Sequence, residues 1–230
     1  MTPSQTIPPA RDASLLRVEG VVKEFEGTVA LDCVTLHLAS GESLGISGSN
    51  GSGKSTLVNV ISGFVRPDRG RVWLGDCEIT RWPPHRVVRA GIARTFQLPR
   101  VGDRFTVEEN LRAATLHRRL GGAQRRQIVS QILEMVNLAP LREREARTLS
   151  LGEIRRVELG RALATGGRVL LVDEPFASLT LEDAPEVLSV LRRLRREGRT
   201  MLIVAHSAAL FQALCDRVTV VEGGRIVRDD

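Results

Sequence analysis

Gly48-Ser49-Asn50-Gly51-Ser52-Gly53-Lys54-Ser55 fits the phosphate-binding pattern GxxxxGK[ST] and follows a short apolar stretch, Ser43-Leu-Gly-Ile-Ser47, that reads as a strand. Its three glycines permit positive-φ turns, which point successive N–H groups at one phosphate chain. The spacing assigns Lys54 to the β- and γ-phosphates and the Ser55 hydroxyl to Mg²⁺. A helix opening at Lys54, with Thr56 in its first turn, adds its positive N-terminus. Lysine is scarce, since Lys23 and Lys54 stand against 31 arginines, and this makes an accidental match less probable. Residues 48–56 are therefore the candidate triphosphate cradle.

A chain of 230 residues is long enough for a full core in one domain, with or without an inserted subdomain. Charged residues at 26% and hydrophobic residues at 42% are ordinary globular values. Residues 1–14 carry three prolines and no apolar run, so they read as a flexible tail without the apolar core of a secretory signal. No run approaches the roughly 18 apolar residues of a spanning helix. Cys33, Cys77 and Cys215 lack CxxC spacing and read as reduced core thiols of a cytoplasmic protein; the four histidines lack zinc-ligand spacing. The net charge of +6 is compatible with nucleic acid or anionic lipid, but aromatics at 3% argue against a base-stacking platform.

Along the chain, Leu15 to Glu19 and Val29 to Leu38 read as strands, and the helix from Lys54 runs to Ser62, before Gly63. Further strands are expected at Arg71 to Leu74 and Ile92 to Phe96, with a short helix at Arg86 to Arg89. Between Val107 and Leu163 apolar residues recur at helical spacing, which predicts three helices inserted into an otherwise alternating β/α chain. Strands at Val169 to Val172 and Thr200 to Ala205 follow, separated by a helix at Ala184 to Arg196. A helix at Ala208 to Leu214 and a closing strand at Val218 to Val221 complete the pattern.

Ligands in parallel sheets sit at the carboxyl ends of strands. The apolar run 168–172 ends in Asp173 and Glu174, which assigns Asp173 to Mg²⁺ through water and Glu174 to polarising an attacking water. His206 ends the strand at 201–205 in the same way, where a neutral imidazole reaches a γ-phosphate.

Five motifs in this order resemble those of ATP-binding cassette (ABC) ATPases, the nucleotide-binding subunits of membrane transporters: the loop Gly48 to Ser55, Arg94-Thr-Phe-Gln97, Leu149-Ser-Leu-Gly-Glu153, Val172-Asp-Glu-Pro175 and His206. The resemblance covers Leu15 to Arg228. It implies an α/β P-loop NTPase cassette over residues 15–230, with a mixed sheet core, an N-terminal antiparallel β subdomain and a helical subdomain at about 98–163. It makes Gln97 a sensor touching Mg²⁺ and the γ-phosphate, and Phe25 an aromatic stacked on adenine, where a packed core Phe is the other reading. Ser150, Leu151, Gly152 and Glu153 stand in for the family signature LSGGQ, which binds the ATP held by a partner subunit in a head-to-tail dimer. The departures are Leu151 and Glu153 in that signature, and Thr180 where the following loop has Asp. Glu153 fits only if it points away from the γ-phosphate, and Thr180 opens the reading of a cassette that turns ATP over poorly.

Ile61-Ser-Gly-Phe64, residues 91–97, Thr106 to Leu111 and Leu214-Cys-Asp-Arg217 resemble the ATPases of importers for branched-chain amino acids, urea and amides. Residues 155–161 and 175–177 instead resemble the ATPase of lipopolysaccharide export. The implied partners are a second ATPase subunit, two transmembrane permease subunits and, for an importer, a substrate-binding protein. The implied location is cytoplasmic, peripheral on the inner face of the membrane. A cassette acting on nucleic acid is the competing class; direct nucleic-acid binding is not expected, because such relatives carry paired cassettes, long coiled coils or zinc-binding cysteines.

Overall fold

The computed structural model describes residues 14–97 and 100–229. The tail expected over residues 1–14 lies outside them except for Ser14, which already belongs to the first strand. In chain order the elements begin with β1 (Ser14–Phe25), β2 (Thr28–Ala39), β3 (Ser43–Ser47), α1 (Lys54–Ile61), β4 (Arg69–Leu74) and β5 (Cys77–Glu78). Next come α2 (Pro84–Ala90), β6 (Ile92–Arg94), α3 (Val107–Ala114), α4 (Gly122–Met135) and α5 (Leu151–Ala164). The remainder is β7 (Val169–Asp173), α6 (Ala184–Arg196), β8 (Thr200–Val204), α7 (Ala208–Leu214), β9 (Arg217–Glu222) and β10 (Arg225–Asp229).

Two sheets form. One is antiparallel in the order β2-β1-β4-β5; the other is mixed, in the order β10-β9-β3-β8-β7-β6, parallel except for the β9–β10 hairpin. β7 and β8 are buried along their whole length, as a parallel strand covered on both faces must be. Their side chains alternate between two cores. Leu170, Val172, Met201 and Ile203 face a core shared with α3 to α7, whereas Val169, Leu171, Leu202 and Val204 face one shared with α1 and the antiparallel sheet. The mixed sheet is thus the common wall of the molecule, and β3, at its centre, delivers the chain into the loop at Gly48.

The helices between β6 and β7 pack on each other and on one face of that wall. Gly160 of α5 lets Leu111 of α3 come close: a Cβ at Gly160 would lie 3.2 Å from a Leu111 methyl carbon. Thr106 and Glu109 close a reciprocal capping box at the start of α3.

Several expectations are corrected. The strand at Val218 to Val221 is not the last: Gly223 and Gly224, at φ 53° and 79°, turn the chain back into β10. β1 runs to Phe25 rather than Glu19, passing Gly20 at φ 58° with shifts of register that keep both edges paired. β6 stops at Arg94 rather than Phe96, because the Phe96 N–H leaves the sheet to donate to the Glu158 carboxylate at 2.6 Å. Of the three thiols expected in the core, only Cys215 is buried; Cys33 and Cys77 lie on exposed strand positions. Among the described residues no helix is long and apolar enough to cross a membrane.

Leu111 is fully buried between the inserted helices. Leu111→Ala is expected to cost about 2–5 kcal/mol in urea denaturation; an unchanged midpoint would show that this contact does not hold the insert together.

Candidate active site

The loop after β3 curls because its glycines stand where side chains cannot. An ideal Cβ on Gly48 (φ 145°) would fall 2.1 Å from the Val221 carbonyl oxygen, and one on Gly53 (φ 109°) 2.4 Å from that of Ala30. The β9–β10 turn braces the loop from below, with the Gly224 N–H donating to Ser52 O at 2.9 Å. Lys54 is 5% exposed and bends back over the loop, donating to the carbonyls of Gly48 at 2.8 Å and Ser49 at 2.7 Å. Burial pulls its ammonium below the usual lysine range, opposed by the carboxylates of Glu174 and Asp173.

A cavity of about 170 Å³ opens over this loop. It is lined by Ala30, Asn50, Gly51, Gly53, Lys54, Ser55 and Thr56, and also by Gln97, Glu174 and His206. Gly48, Ser49 and Ser52 belong to the loop but do not line the cavity. Glu174 Oε1 accepts a hydrogen bond from His206 Nε2 at 2.8 Å, in the tautomer that protonates this nitrogen. Burial raises the Glu174 carboxyl above the ordinary glutamate value of 4.5; Asp173 adds to this, while His206 and Lys54 oppose it. Glu174 also adopts φ 49°, a left-handed conformation held by its N–H donating to Val204 O at 3.0 Å.

Asp173 is 3% exposed and does not line the cavity. Its Oδ2 accepts from Arg94 Nη2 at 3.0 Å, and its Oδ1 is buried with no hydrogen-bond partner among the described residues. Among those residues no cluster of three or more His, Cys, Asp or Glu side chains suits a metal. The Ser55 hydroxyl and the Gln97 amide line the cavity while the orphaned Asp173 oxygen does not, a donor set that fits a Mg²⁺ ion taking its other ligands from phosphates and from water, with Asp173 acting through water. A fully caged ion does not fit this donor set.

Phe25 lies outside this cavity. It is not a core residue: it is 45% exposed at the end of β1, with Lys23 Nζ 5.0 Å from its ring centre. The four signature residues are also elsewhere, at the start of α5. Ser150 is the N-cap, its Oγ accepting from the Glu153 N–H at 3.2 Å, and Glu153 Oε2 accepts from the Ser150 N–H at 2.7 Å. Glu153 therefore turns its carboxylate back onto its own helix. Leu151 is half-buried in the first turn, and Gly152 is buried, with no space for a Cβ beside Asp183.

Residues that sequence reasoning missed complete the surroundings. Arg155 of α5 donates to the carbonyls of Phe96 at 2.9 Å and Gln97 at 2.7 Å, so it and Glu158 clamp the segment bearing Gln97 to the inserted helices. Asp183 accepts from Ser150 Oγ at 2.9 Å and from Thr180 Oγ1 at 3.2 Å, placing a carboxylate next to the threonine that replaces the expected Asp. Thr180-Leu-Glu-Asp183 has capping-box spacing, a signal that could have found it. Nothing in the sequence distinguishes Arg155 from 30 other arginines.

A phosphate loop after a central parallel strand, with an acidic pair at the end of the strand two places along the sheet, defines a P-loop NTPase cassette. The ABC transporter profile matches residues 31–177. The chain is 33% identical over 215 residues to the lipopolysaccharide export system ATP-binding protein of Acidithiobacillus ferridurans, covering 94% of this chain and 89% of that one. The chain belongs to the ABC transporter family. It is also 37% identical to a ribose import ATP-binding protein of Streptomyces coelicolor, of which it spans 42% of the length, and to the methionine import ATP-binding protein of Rhodopseudomonas palustris, of which it spans 60%. Among solved structures, an ATP-binding cassette of an ABC transporter in its ADP conformation superposes with a TM-score of 0.83 at 34% identity, covering 94% of this chain and 90% of that one. A dimeric bacterial ABC transporter cassette superposes equally well, with a TM-score of 0.83 at 25% identity, covering 94% and 97%.

The α5 cap gives a test that requires no nucleotide. Ser150→Ala should cost about 0.5–2 kcal/mol, read as a lowered Tm; an unchanged Tm would mean that the reciprocal cap contributes nothing.

Proposed function

We propose that this chain binds and hydrolyses ATP with Mg²⁺ and powers transport through separate membrane subunits. The observation that carries this reading is the convergence of Lys54, Ser55, Gln97, Glu174 and His206, from four separate stretches of chain, on one cavity. The backbone N–H groups of residues 48–56 and the α1 N-terminus receive the β- and γ-phosphates, and Lys54 exchanges its two loop carbonyls for phosphate oxygens. Ser55, Gln97 and, through water, Asp173 would hold Mg²⁺, which would supply neutralisation of charge on the phosphates.

Glu174 accepts a proton from the attacking water as the water oxygen bonds to the γ-phosphorus. The bond to the β-phosphate bridging oxygen breaks, which gives ADP and inorganic phosphate. His206 holds Glu174 in place and reaches the γ-phosphate.

A cavity of about 170 Å³ is smaller than the roughly 300–1,000 Å³ of closed ligand sites, so a single chain encloses only part of a nucleotide. This supports a head-to-tail dimer in which Ser150, Leu151, Gly152 and Glu153 close on the partner's ATP, with Phe25 against the adenine. The dimeric architecture of one similar cassette supports the same arrangement. In this reading residues 15–230 form one cassette with a helical insert at about 98–163. A larger cavity of about 490 Å³ between the sheet and the insert, bounded by Phe64, Phe96, Arg100 and His117, is where a permease segment docks on the membrane's inner face.

Import of branched-chain amino acids or related small polar solutes, with a substrate-binding protein, rests on the phrase-level resemblance. Ribose, arabinose and methionine importers among the relatives support small polar solutes in general. Lipopolysaccharide export is the second reading, supported by the relative that this chain matches over most of both lengths. Co-purification from gently solubilised native membranes tests all of this: permeases with a binding protein support import, permeases with envelope-bridging proteins support export, and only nucleic-acid partners contradict transport.

Three further outcomes are expected. Glu174→Gln lowers kcat by roughly 10²–10⁴-fold and accumulates an ATP-bound dimer in size-exclusion chromatography; normal turnover removes Glu174 from the role of base. Lys54→Ala weakens nucleotide binding by roughly tenfold or more, read by fluorescence titration, and an unchanged affinity contradicts the cradle. Since the Glu174 carboxyl lies above 4.5 and must be ionised to act, kcat declines as pH falls through a value above 4.5; an acid limb at or below 4.5 contradicts that environment.

A further inference from the structure

Arg94 is the last residue of β6, and its side chain is 9% exposed. Besides the bond to Asp173 Oδ2, its Nη1 donates to Asn59 Oδ1 and to Ser62 Oγ, both at 2.8 Å. The guanidinium lies 5.5 Å from the Phe64 ring centre and 5.0 Å from that of Phe96, and these two rings meet edge to face at 5.7 Å. One cation therefore joins three parts: the end of β7, the far end of the helix that begins at Lys54, and the segment leading to Gln97. The Asp173 N–H donates to Thr95 Oγ1 at 3.2 Å, so backbone and carboxylate are both held from the β6 side.

Charge neutralisation alone would need only a nearby cation. Here both terminal nitrogens of a planar fork are engaged, Nη1 on Asn59 and Ser62 and Nη2 on the carboxylate, while Nε is buried without a hydrogen-bond partner among the described residues; the two-armed grip fixes the rotation of the Asp173 side chain. One carboxylate oxygen is anchored and the other is left buried without a partner among the described residues. That asymmetry sets the direction in which Asp173 can accept.

Resting on the proposed function, we infer that Arg94 is a positioning residue for the Mg²⁺–ATP complex: it holds Asp173 by Oδ2 and presents Oδ1 to the hydrated ion, using Asn59 and Ser62 as its rests on α1. It touches neither nucleotide nor metal. A lysine in its place supplies the charge but not the fork.

The test uses the purified full chain and two binding readouts: affinity for a fluorescent N-methylanthraniloyl ATP in EDTA, and Mn²⁺ affinity of the ATP complex followed by electron paramagnetic resonance. Arg94→Lys should leave EDTA affinity within about twofold and weaken Mn²⁺ binding by about tenfold or more, as expected when a ligand's hydrogen-bond partner is lost. The Asn59→Ala/Ser62→Ala double variant, which keeps the ion pair, should weaken Mn²⁺ binding in the same direction. Folded Arg94→Lys with unchanged Mn²⁺ affinity overturns the inference, as does an equal loss of EDTA affinity, which would report a damaged loop. If Arg94→Lys does not fold, the double variant decides: unchanged Mn²⁺ affinity overturns the inference. Failure of the unsubstituted chain to bind nucleotide at all would overturn the proposed function itself, an outcome separate from the other two.

Discussion

The phosphate loop has almost no freedom at Gly48, where a Cβ would lie 2.1 Å from the Val221 carbonyl oxygen. Three strands are committed by that contact. β3 must end there, β9 must run parallel beside it so that Val221 arrives at the same level, and the Gly223–Gly224 turn must reverse the chain so that Gly224 can brace Ser52. Ala30 of β2 closes the other side against Gly53, which ties the antiparallel sheet to the mixed one. The rest of the architecture brings polar groups to this loop from elements that are remote in sequence.

Electrostatics around the loop is balanced in pairs that nucleotide binding must rearrange. Lys54 is held by carbonyls and influenced by two carboxylates, while Glu174 is raised by burial and held by His206. Asp173 is secured by Arg94. The Lys54 contacts and the Arg94–Asp173 pair are buried or half-buried, whereas His206 is 46% exposed, so its contact with Glu174 is the one most open to screening by salt. The inserted helices take part through Arg155 and Glu158, which grip the backbone at Phe96 and Gln97. A displacement of α5 would be transmitted directly to Gln97.

Much of this was legible in the sequence, for physical reasons. Gly48 to Ser55, the apolar run ending at Asp173 and Glu174, and the helical period after Val107 are local patterns, and local patterns survive without knowledge of the fold. β10 was not recognised because its five residues, Arg225 to Asp229, are mostly exposed and polar, although Gly223-Gly224 is a hairpin signal. The thiols were misjudged because Cys33 and Cys77 sit on outward strand positions that only register reveals. Arg94 and Arg155 act through tertiary contacts across 79 and 58 residues, and no window of sequence encodes such a pairing; Asp183 has a local signal in its spacing from Thr180, but its contact with Ser150, 33 residues away, has none. The amino-acid branch suggested by short phrases is not carried by relatives that name sugars, methionine and lipopolysaccharide.

The central claim is that one nucleotide is held by the loop of one chain and the start of α5 of another. Hydrogen exchange of the full chain, with and without Mg²⁺ and a non-hydrolysable ATP analogue, addresses both halves at once. The account predicts strong protection over residues 48–56 and, in the same complex, protection over residues 150–153, the latter fading on dilution as chains separate. Protection of residues 48–56 with residues 150–153 unchanged at every concentration would contradict the shared site, and absence of protection over the loop would contradict nucleotide binding there.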